Sequence, residues 1–249
     1  AAQAAKQVII QGIREAERGI IYDEFNNKQH EVLTGTVYRI DQRTGAITMR
    51  IGEGSEATEA VLPRSEQIPG EELAEGQRAR VYVVEVRRST RGVQVLISRS
   101  HPGLVRRLFE LEVPEIFDGT VEIHGIAREA GSRSKISVGS AEPDVDAIGA
   151  CVGPRGARVA AVVNELGGEK IDIIEYSEDP ATYIAHALAP ATVLSVTMED
   201  DNKTCRVVVP ENQLSLAIGR EGQNARLAAK LTGFKIDIKS DDGMGVAAE

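Results

Sequence analysis

Two cysteines and four histidines in 249 residues offer little with which to staple a fold or hold a metal. Cys151 and Cys205 stand alone, with no Cys-x-x-Cys spacing and no histidine cluster. Neither a disulfide framework nor a zinc site is expected, both cysteines read as small buried residues, and no metal or cofactor is assigned. The longest apolar runs fall far short of the roughly 18 residues of a membrane-spanning helix, and residues 1–31 do not carry the pattern of a signal peptide. A cytoplasmic setting without membrane contact is expected. Gly52-Glu53-Gly54-Ser55-Glu56-Ala57 matches a dinucleotide-binding pattern by spacing alone, because Pro63 comes soon after it and no strand-helix-strand unit surrounds it. With no Walker motif, catalytic-triad spacing or metal-ligand cluster, no catalytic residue is assigned and an enzyme is not expected. The chain does not begin with Met and is expected to be a fragment.

Acidic residues outnumber basic ones, giving a formal net charge of -9. A basic domain is the simplest signature of a nucleic-acid binder, so this balance points away from one. Distribution matters more than the sum. Residues 53–75 hold seven Glu against Arg64 alone, whereas residues 219–239 hold Arg220, Arg226, Lys230, Lys235 and Lys239 against Glu221 and Asp237. Segregation of this kind leaves any nucleic-acid contact to a few local cations and implies modest, sequence-dependent affinity. It is equally compatible with a protein scaffold that binds no RNA.

The period of the apolar pattern changes along the chain. Residues 2–21 are helical, with Ile9, Ile13, Ala16 and Ile20 on one stripe. This helix, within residues 1–30, either connects to a preceding domain or packs on the strands that come after it. Residues 31–100 switch to short alternating strands at 32–40, 46–51, 59–62, 78–87 and 92–98, the pattern of a five-stranded OB-type barrel. Arg87, Arg88 and Arg91 fall at the last hairpin and read as a solvated turn rather than a phosphate track. Residues 101–177 and 178–240 then repeat one order, helix-strand-strand-helix-helix-strand, and residues 241–249 form a tail. In the second repeat the two strands meet across Asp200-Asp201-Asn202-Lys203. The links Ser100-His101-Pro102 and Ser177-Glu178-Asp179-Pro180 are short and predict tight packing between modules.

The repeat contains the central motif twice. Val152-Gly153-Pro154-Arg155-Gly156 and Ile218-Gly219-Arg220-Glu221-Gly222 each place Gly-x-x-Gly between two helical segments, and each precedes the same strand, Lys170-Ile171-Asp172-Ile173 and Lys235-Ile236-Asp237-Ile238. A lone Gly-x-x-Gly is an ordinary tight turn between helices. Two with matched flanks select a shared function. Glycine lets a nucleic-acid backbone approach closely, the next helix offers unpaired N–H groups and a positive dipole end, and Arg155 and Arg220 add charge-assisted bonds. Glu221 opposes phosphate contact in the second loop, with Arg226 and Lys230 available to offset it.

These elements resemble known families. Gly35-Thr36-Val37, Gly45-Ala46, Ala60-Val61-Leu62 before Ser65-Glu66, and Glu75-Gly76 resemble the ribosomal-protein-S-one-type RNA-binding domain, although Ile47 and Pro63 stand where that family places base-stacking rings. The barrel is therefore expected to bind RNA weakly or to serve as a spacer or protein-binding module. Ile148-Gly149-Ala150-Cys151-Val152-Gly153 and Leu216-Ala217-Ile218-Gly219-Arg220-Glu221-Gly222-Gln223-Asn224 resemble type II KH domains. The combination, a multi-domain chain with an all-β OB-type barrel followed by two α+β type II KH domains, resembles bacterial transcription elongation and termination factors. What the resemblance implies is a monomeric, non-catalytic protein that holds single-stranded nascent RNA, with RNA polymerase contacted mainly through a domain outside this chain and other transcription factors as further partners. It implies base-reading grooves floored by Val152, Ile171 and Ile173, and by Ile218, Ile236 and Ile238. Lys170, Arg158, Lys235, Asn224 and Arg226 complete the expected RNA-binding set. The alternative is an acidic scaffold whose barrel and KH units bind protein.

Overall fold

The computed structural model describes residues 1–201, 203–242 and 245–248, the last four through their backbone. Two compact units divide the chain, Ala1–Arg107 and Leu108–Glu249. Of the expected turn at residues 200–203, Asn202 lies outside the described residues. Among the described residues, no helix is long and apolar enough to cross a membrane and no group of three or more His, Cys, Asp or Glu is placed to hold a metal.

The first unit begins with α1 (Ala2–Asn27). Its C-terminal turns bury Phe25 completely and lay Ile21 and Tyr22 on the barrel core, while Val8, Ile9, Ile13 and Ile20 stay exposed. The helix therefore packs on the barrel through one end only. The barrel is closed in the order β1 (Val32–Ile40), β2 (Ile47–Ile51), β3 (Thr58–Leu62), β5 (Gly92–Ser98), β4 (Arg78–Ser89). Alternation supplies its core: Val37, Met49, Ile51, Leu62, Val81, Val83, Val95 and Ile97 point inward and are essentially inaccessible. β4 runs two residues further than its apolar pattern predicts. Arg87 and Arg88 lie on the strand rather than in the turn; Arg87 pairs with Glu85 at 2.7 Å, and Arg88 covers the Tyr22 ring at 4.3 Å. A buried Arg99 donates from Nε to Glu71 Oε2 (2.7 Å) and from Nη1 to the Arg80 carbonyl (2.6 Å), so the charge is paired where water is excluded.

The second unit carries the duplication. Its first half consists of α2 (Pro102–Glu112), whose first turns lie in the first unit, α3 (Pro114–Phe117), the hairpin β6 (Val121–Glu129) and β7 (Arg133–Ser140), α4 (Ala147–Val152), α5 (Ala157–Glu165) and β8 (Lys170–Glu175). The second half repeats this as α6 (Pro180–Ala187), β9 (Ser195–Met198), β10 (Thr204–Val209), α7 (Leu214–Ile218), α8 (Gln223–Thr232) and β11 (Lys235–Ser240). In both, the last strand lies parallel to the strand before the helix pair, and β6-β7-β8 and β9-β10-β11 share one topology, that of a type II KH domain. The expected tail differs: β12 (Gly245–Ala248) pairs antiparallel with β11.

Duplication of Lys-Ile-Asp-Ile has a structural reason. The parallel register sets Asp172 opposite Lys135 and Asp237 opposite Arg206, so the same carboxylate meets a cation on the neighbouring strand in each half. Asp172 accepts from Arg133 Nε (2.7 Å), Arg133 Nη2 (2.8 Å) and Lys135 Nζ (3.0 Å). Burial alone would raise its pKa, but these two cations hold it below the usual carboxylate range. Burial in turn lowers the pKa of Lys135, whose side chain is inaccessible, with Asp172 acting against that shift. The Lys135 ammonium also donates to the Ala189 carbonyl (2.7 Å) at the end of α6, so the cluster joins the two KH units. A second buried pair, Arg128 with Glu169, ties the β6–β7 hairpin to the segment before β8; Glu169 also accepts from the Gly131 N–H (2.7 Å) and Ser134 Oγ (3.0 Å).

The same packing covers one face of the first KH sheet with helices of the second KH unit. α8 lies on β6 and β7, and α6 on β8. Ile174 joins Tyr183, Ile184, Leu188 and Ala225 in one core, and Tyr183 donates its hydroxyl to Ser137 Oγ (2.8 Å). Asp172→Ala is expected to cost about 3–5 kcal/mol by stranding Lys135, whereas Lys135→Met, which leaves Asp172 on Arg133, costs about 1 kcal/mol. Urea unfolding of both variants measures this. Since folding depresses the Asp172 pKa, its stabilisation is complete above the ordinary carboxylate range and is lost as the pH falls through the depressed value.

Candidate nucleic-acid interface

The two Gly-x-x-Gly loops adopt the same backbone. Gly153 and Gly219 have φ/ψ of 73/173° and 78/171°, Arg155 and Glu221 of 55/26° and 54/27°, and Gly156 and Gly222 of 74/15° and 75/11°. Arg155 and Glu221 are left-handed without being glycine, at a cost on the order of 1 kcal/mol each. Each loop is pinned by a backbone bond across it, Gly156 N–H to the Gly153 carbonyl (3.0 Å) and Gly222 N–H to the Gly219 carbonyl (3.2 Å). The centres Pro154, Arg155, Arg220 and Glu221 are exposed. Among the described residues, neither the Arg155 nor the Arg220 side chain has a hydrogen-bond or ion-pair partner.

No side chain caps α5 or α8, the helices that leave the loops, although α4 and α6 carry aspartate caps from Asp146 and Asp179. The Ala157 and Gln223 N–H groups bond the Pro154 and Arg220 carbonyls, and no side-chain cap takes the N–H groups after them, which with the unpartnered guanidinium groups of the loops suits phosphate oxygens.

The leading glycines serve the protein itself. A Cβ on Gly153 would meet the Arg158 side chain at 2.5 Å, and one on Gly219 would meet the Asn224 backbone nitrogen at 2.7 Å. Close approach at these positions is made by the next helix. Gly156 has open space around it and Gly222 almost so; they are needed for positive φ alone.

The remaining expected contacts divide. Val152, Ile171, Ile173 and Ile218 are half-buried beside the loops and can floor a groove; Lys170 and Lys235 are exposed at the starts of their strands. Ile236 and Ile238 are fully buried in the core and cannot form a surface floor, which corrects the expectation for the second KH unit. Arg158 donates to the Ala150 carbonyl (2.7 Å) and to Glu115 (2.9 Å), bracing α5 against α4 and α3. Asn224 is buried and donates to the Leu188 (3.1 Å) and Ala217 (2.9 Å) carbonyls. Arg226 gives its Nε to Glu129 (2.5 Å), and Gln223 bonds Glu129 and Ser132 (both 2.7 Å). Arg226 depresses the Glu129 pKa, and it braces the second loop against the β6–β7 hairpin. All three residues support the loops through these bonds.

Sequence reading missed two features. Tyr38 is exposed on the barrel with the Arg50 guanidinium 4.1 Å from its ring centroid. Its outward phase on β1 was a usable signal, although the family-like aromatic positions hold Ile47 and Pro63. A cleft of about 500 Å³ between the end of β8 and the start of α4 is edged by Glu122, Glu142, Asp146, Glu175 and Glu178, with His124 stacked on Tyr176 at 3.8 Å. Its carboxylates make it unsuited to phosphate. Cys151 and Cys205 are buried and free, with burial pushing each thiol up to about 11.

A closed S1-type barrel followed by two type II KH domains, with both Gly-x-x-Gly loops formed, defines a protein built from RNA-binding domains. Residues 27–98 match the model of the S1 RNA binding domain, 99–176 that of the NusA-like first KH domain and 180–245 that of the NusA-like second KH domain. The chain is 57% identical over 241 residues to the transcription termination/antitermination protein NusA of Halalkalibacterium halodurans and 55% identical over 241 residues to that of Bacillus subtilis. These alignments cover 97% of this chain and 62% and 63% of those proteins. With the NusA of Mycobacterium bovis it shares 53% identity over 245 residues, 97% of this chain and 70% of that protein. The chain belongs to the NusA family. It spans somewhat less than two thirds of the first two relatives.

Gly219→Ala is expected to cost more than about 3 kcal/mol, combining a backbone clash with a glycine-only conformation, and Gly222→Ala about 1–2 kcal/mol from left-handed strain alone. Thermal or urea melts of the two variants give the difference directly.

Proposed function

We propose that this chain is the RNA-holding part of a non-catalytic, NusA-type transcription factor in the bacterial cytoplasm. Nascent single-stranded RNA lies across the two Gly-x-x-Gly loops, and its capture modulates pausing, termination and antitermination by RNA polymerase. The observation that carries this reading is the pair of dihedrally matched loops, each with an uncapped helix behind it and an unpartnered arginine within it.

Mechanistically, the loops hold phosphates through N–H groups and Arg155 or Arg220, and bases turn toward the half-buried Val152, Ile171, Ile173 and Ile218. Acidic surface elsewhere, including the Glu-edged cleft, repels stray backbone and confines binding to the loops. Arg158, Asn224 and Arg226 act indirectly, by keeping the loops in place. The polymerase contact is assigned mainly to parts of the factor outside this chain.

The test is binding of short single-stranded RNAs at several salt concentrations to the wild type and to a Pro154→Asp, Arg155→Asp, Arg220→Asp variant. Aspartate tolerates the left-handed position of Arg155, and all three sites are exposed, so the fold is kept. The wild type is expected to show a log–log salt slope of about -1.4 for two phosphates, and the variant to bind at least about tenfold more weakly. Equal binding by both proteins rules the loops out; no binding by either returns the acidic scaffold reading. In the same assay, Glu221→Lys is expected to tighten binding severalfold and steepen the slope by about 0.7, since it replaces a carboxylate with a cation beside the phosphate path.

A further inference from the structure

The two KH units differ at the strand edge beside the loop. In the first, β8 pairs with β7 on one side, and among the described residues no strand pairs with its other side. In the second, β11 is paired on both sides. It runs parallel to β10, and antiparallel to β12 with Ile236 opposite Ala248, Asp237 opposite Ala247, Ile238 opposite Val246 and Lys239 opposite Gly245. β12 also approaches α8, the helix that leaves the second loop. It therefore tracks the β11 edge alongside the helix from which bound RNA would extend.

An open strand edge presents a row of unpaired N–H and C=O groups. A nucleic acid whose backbone is held at the loop and whose bases turn toward the sheet needs that row to read base edges. A peptide strand satisfies the same groups by strand addition, and residues 245–248, Gly-Val-Ala-Ala, are small and uncharged, as such a filler requires. Strand and bases cannot occupy one edge together. Nor can the second KH unit compensate with an apolar floor, because Ile236 and Ile238 are buried in its core.

We propose that Gly245–Ala248 is a built-in competitor for the second KH groove. It is docked on β11 in the free protein and displaced when RNA is read there, whereas the first groove stays open. The two KH units then load in order, the first loop capturing RNA and the second engaging only RNA that outcompetes the strand. This inference rests on the RNA-binding reading of the loops.

The test compares the 249-residue chain with a chain ending at Asp242 and with a Val246→Pro, Ala247→Pro variant. All three carry Pro154→Asp and Arg155→Asp, so that RNA is held by the second KH unit. Amide hydrogen exchange across residues 236–239 is measured in the free proteins, and affinity for short single-stranded RNAs is measured in parallel. Shortened and proline chains are expected to lose protection at these amides and to bind RNA about tenfold more tightly, the gain for a strand docked nine-tenths of the time. Unchanged protection would show that the strand is not docked and would overturn the proposal. Lost protection with unchanged affinity would show that strand and RNA do not compete, overturning it while leaving the RNA reading intact. If none of the three binds RNA, the RNA reading of the second KH unit fails and the proposal falls with it.

Discussion

The carboxylate of Asp172 is the point on which the KH half of the molecule depends. It is held by Arg133 and by a fully buried Lys135, and the same lysine reaches across to the Ala189 carbonyl. One charge cluster thus sets the register of β8 on β7 and fastens the second KH unit to the first. A buried cation is tolerable only with a partner of this quality, because desolvation costs several kcal/mol per ion. The homologous Asp237 keeps the cross-strand position with Arg206, but at 3.8 Å and on the surface. Duplication preserved the pattern, and docking of one KH unit on the other turned one copy of it into an interface.

From that anchored interface the placement of the loops is derived. α8 is pressed against the first KH sheet, and its first turn is tied through Gln223 and Arg226 to Glu129 and Ser132 on the neighbouring hairpin. The second Gly-x-x-Gly loop is therefore held at a fixed place relative to the first KH unit. Within each loop the strain of a left-handed Arg155 or Glu221 is tolerated because a leading glycine lets the next helix close in behind it. The outcome is two loop tips whose exposed Arg155 and Arg220 side chains have no partner among the described residues. A side chain bound elsewhere would have to break a contact before meeting phosphate; Arg155 and Arg220 do not.

Much of this was legible in the sequence. Strand spans such as 32–40 and 92–98 coincide with the observed β1 and β5, because alternation and glycine punctuation are local signals. The twin loops were legible for the same reason, being short, repeated and flanked by helical periodicity. Side-chain allegiance was not. Arg158, Asn224 and Arg226 sit close in sequence to the loops and carry the right chemistry for RNA, yet their partners Glu115, Leu188 and Glu129 lie 36 to 97 positions away. Ile236 and Ile238 share a tetrapeptide with Ile171 and Ile173, and only the tertiary setting separates buried from half-buried copies. The pairing of β12 was invisible because Gly-Val-Ala-Ala has no alternation to mark a strand.

The most direct measurement is a residue-resolved amide chemical-shift map of the chain titrated with a short single-stranded RNA that it binds. Shifts concentrated at residues 153–158 and 219–224, with smaller shifts at the half-buried Ile171 and Ile173 amides, are the predicted result. Shifts at the Glu-edged cleft around His124 and Tyr176, or confined to the barrel beside Tyr38, with both loops silent, would contradict it.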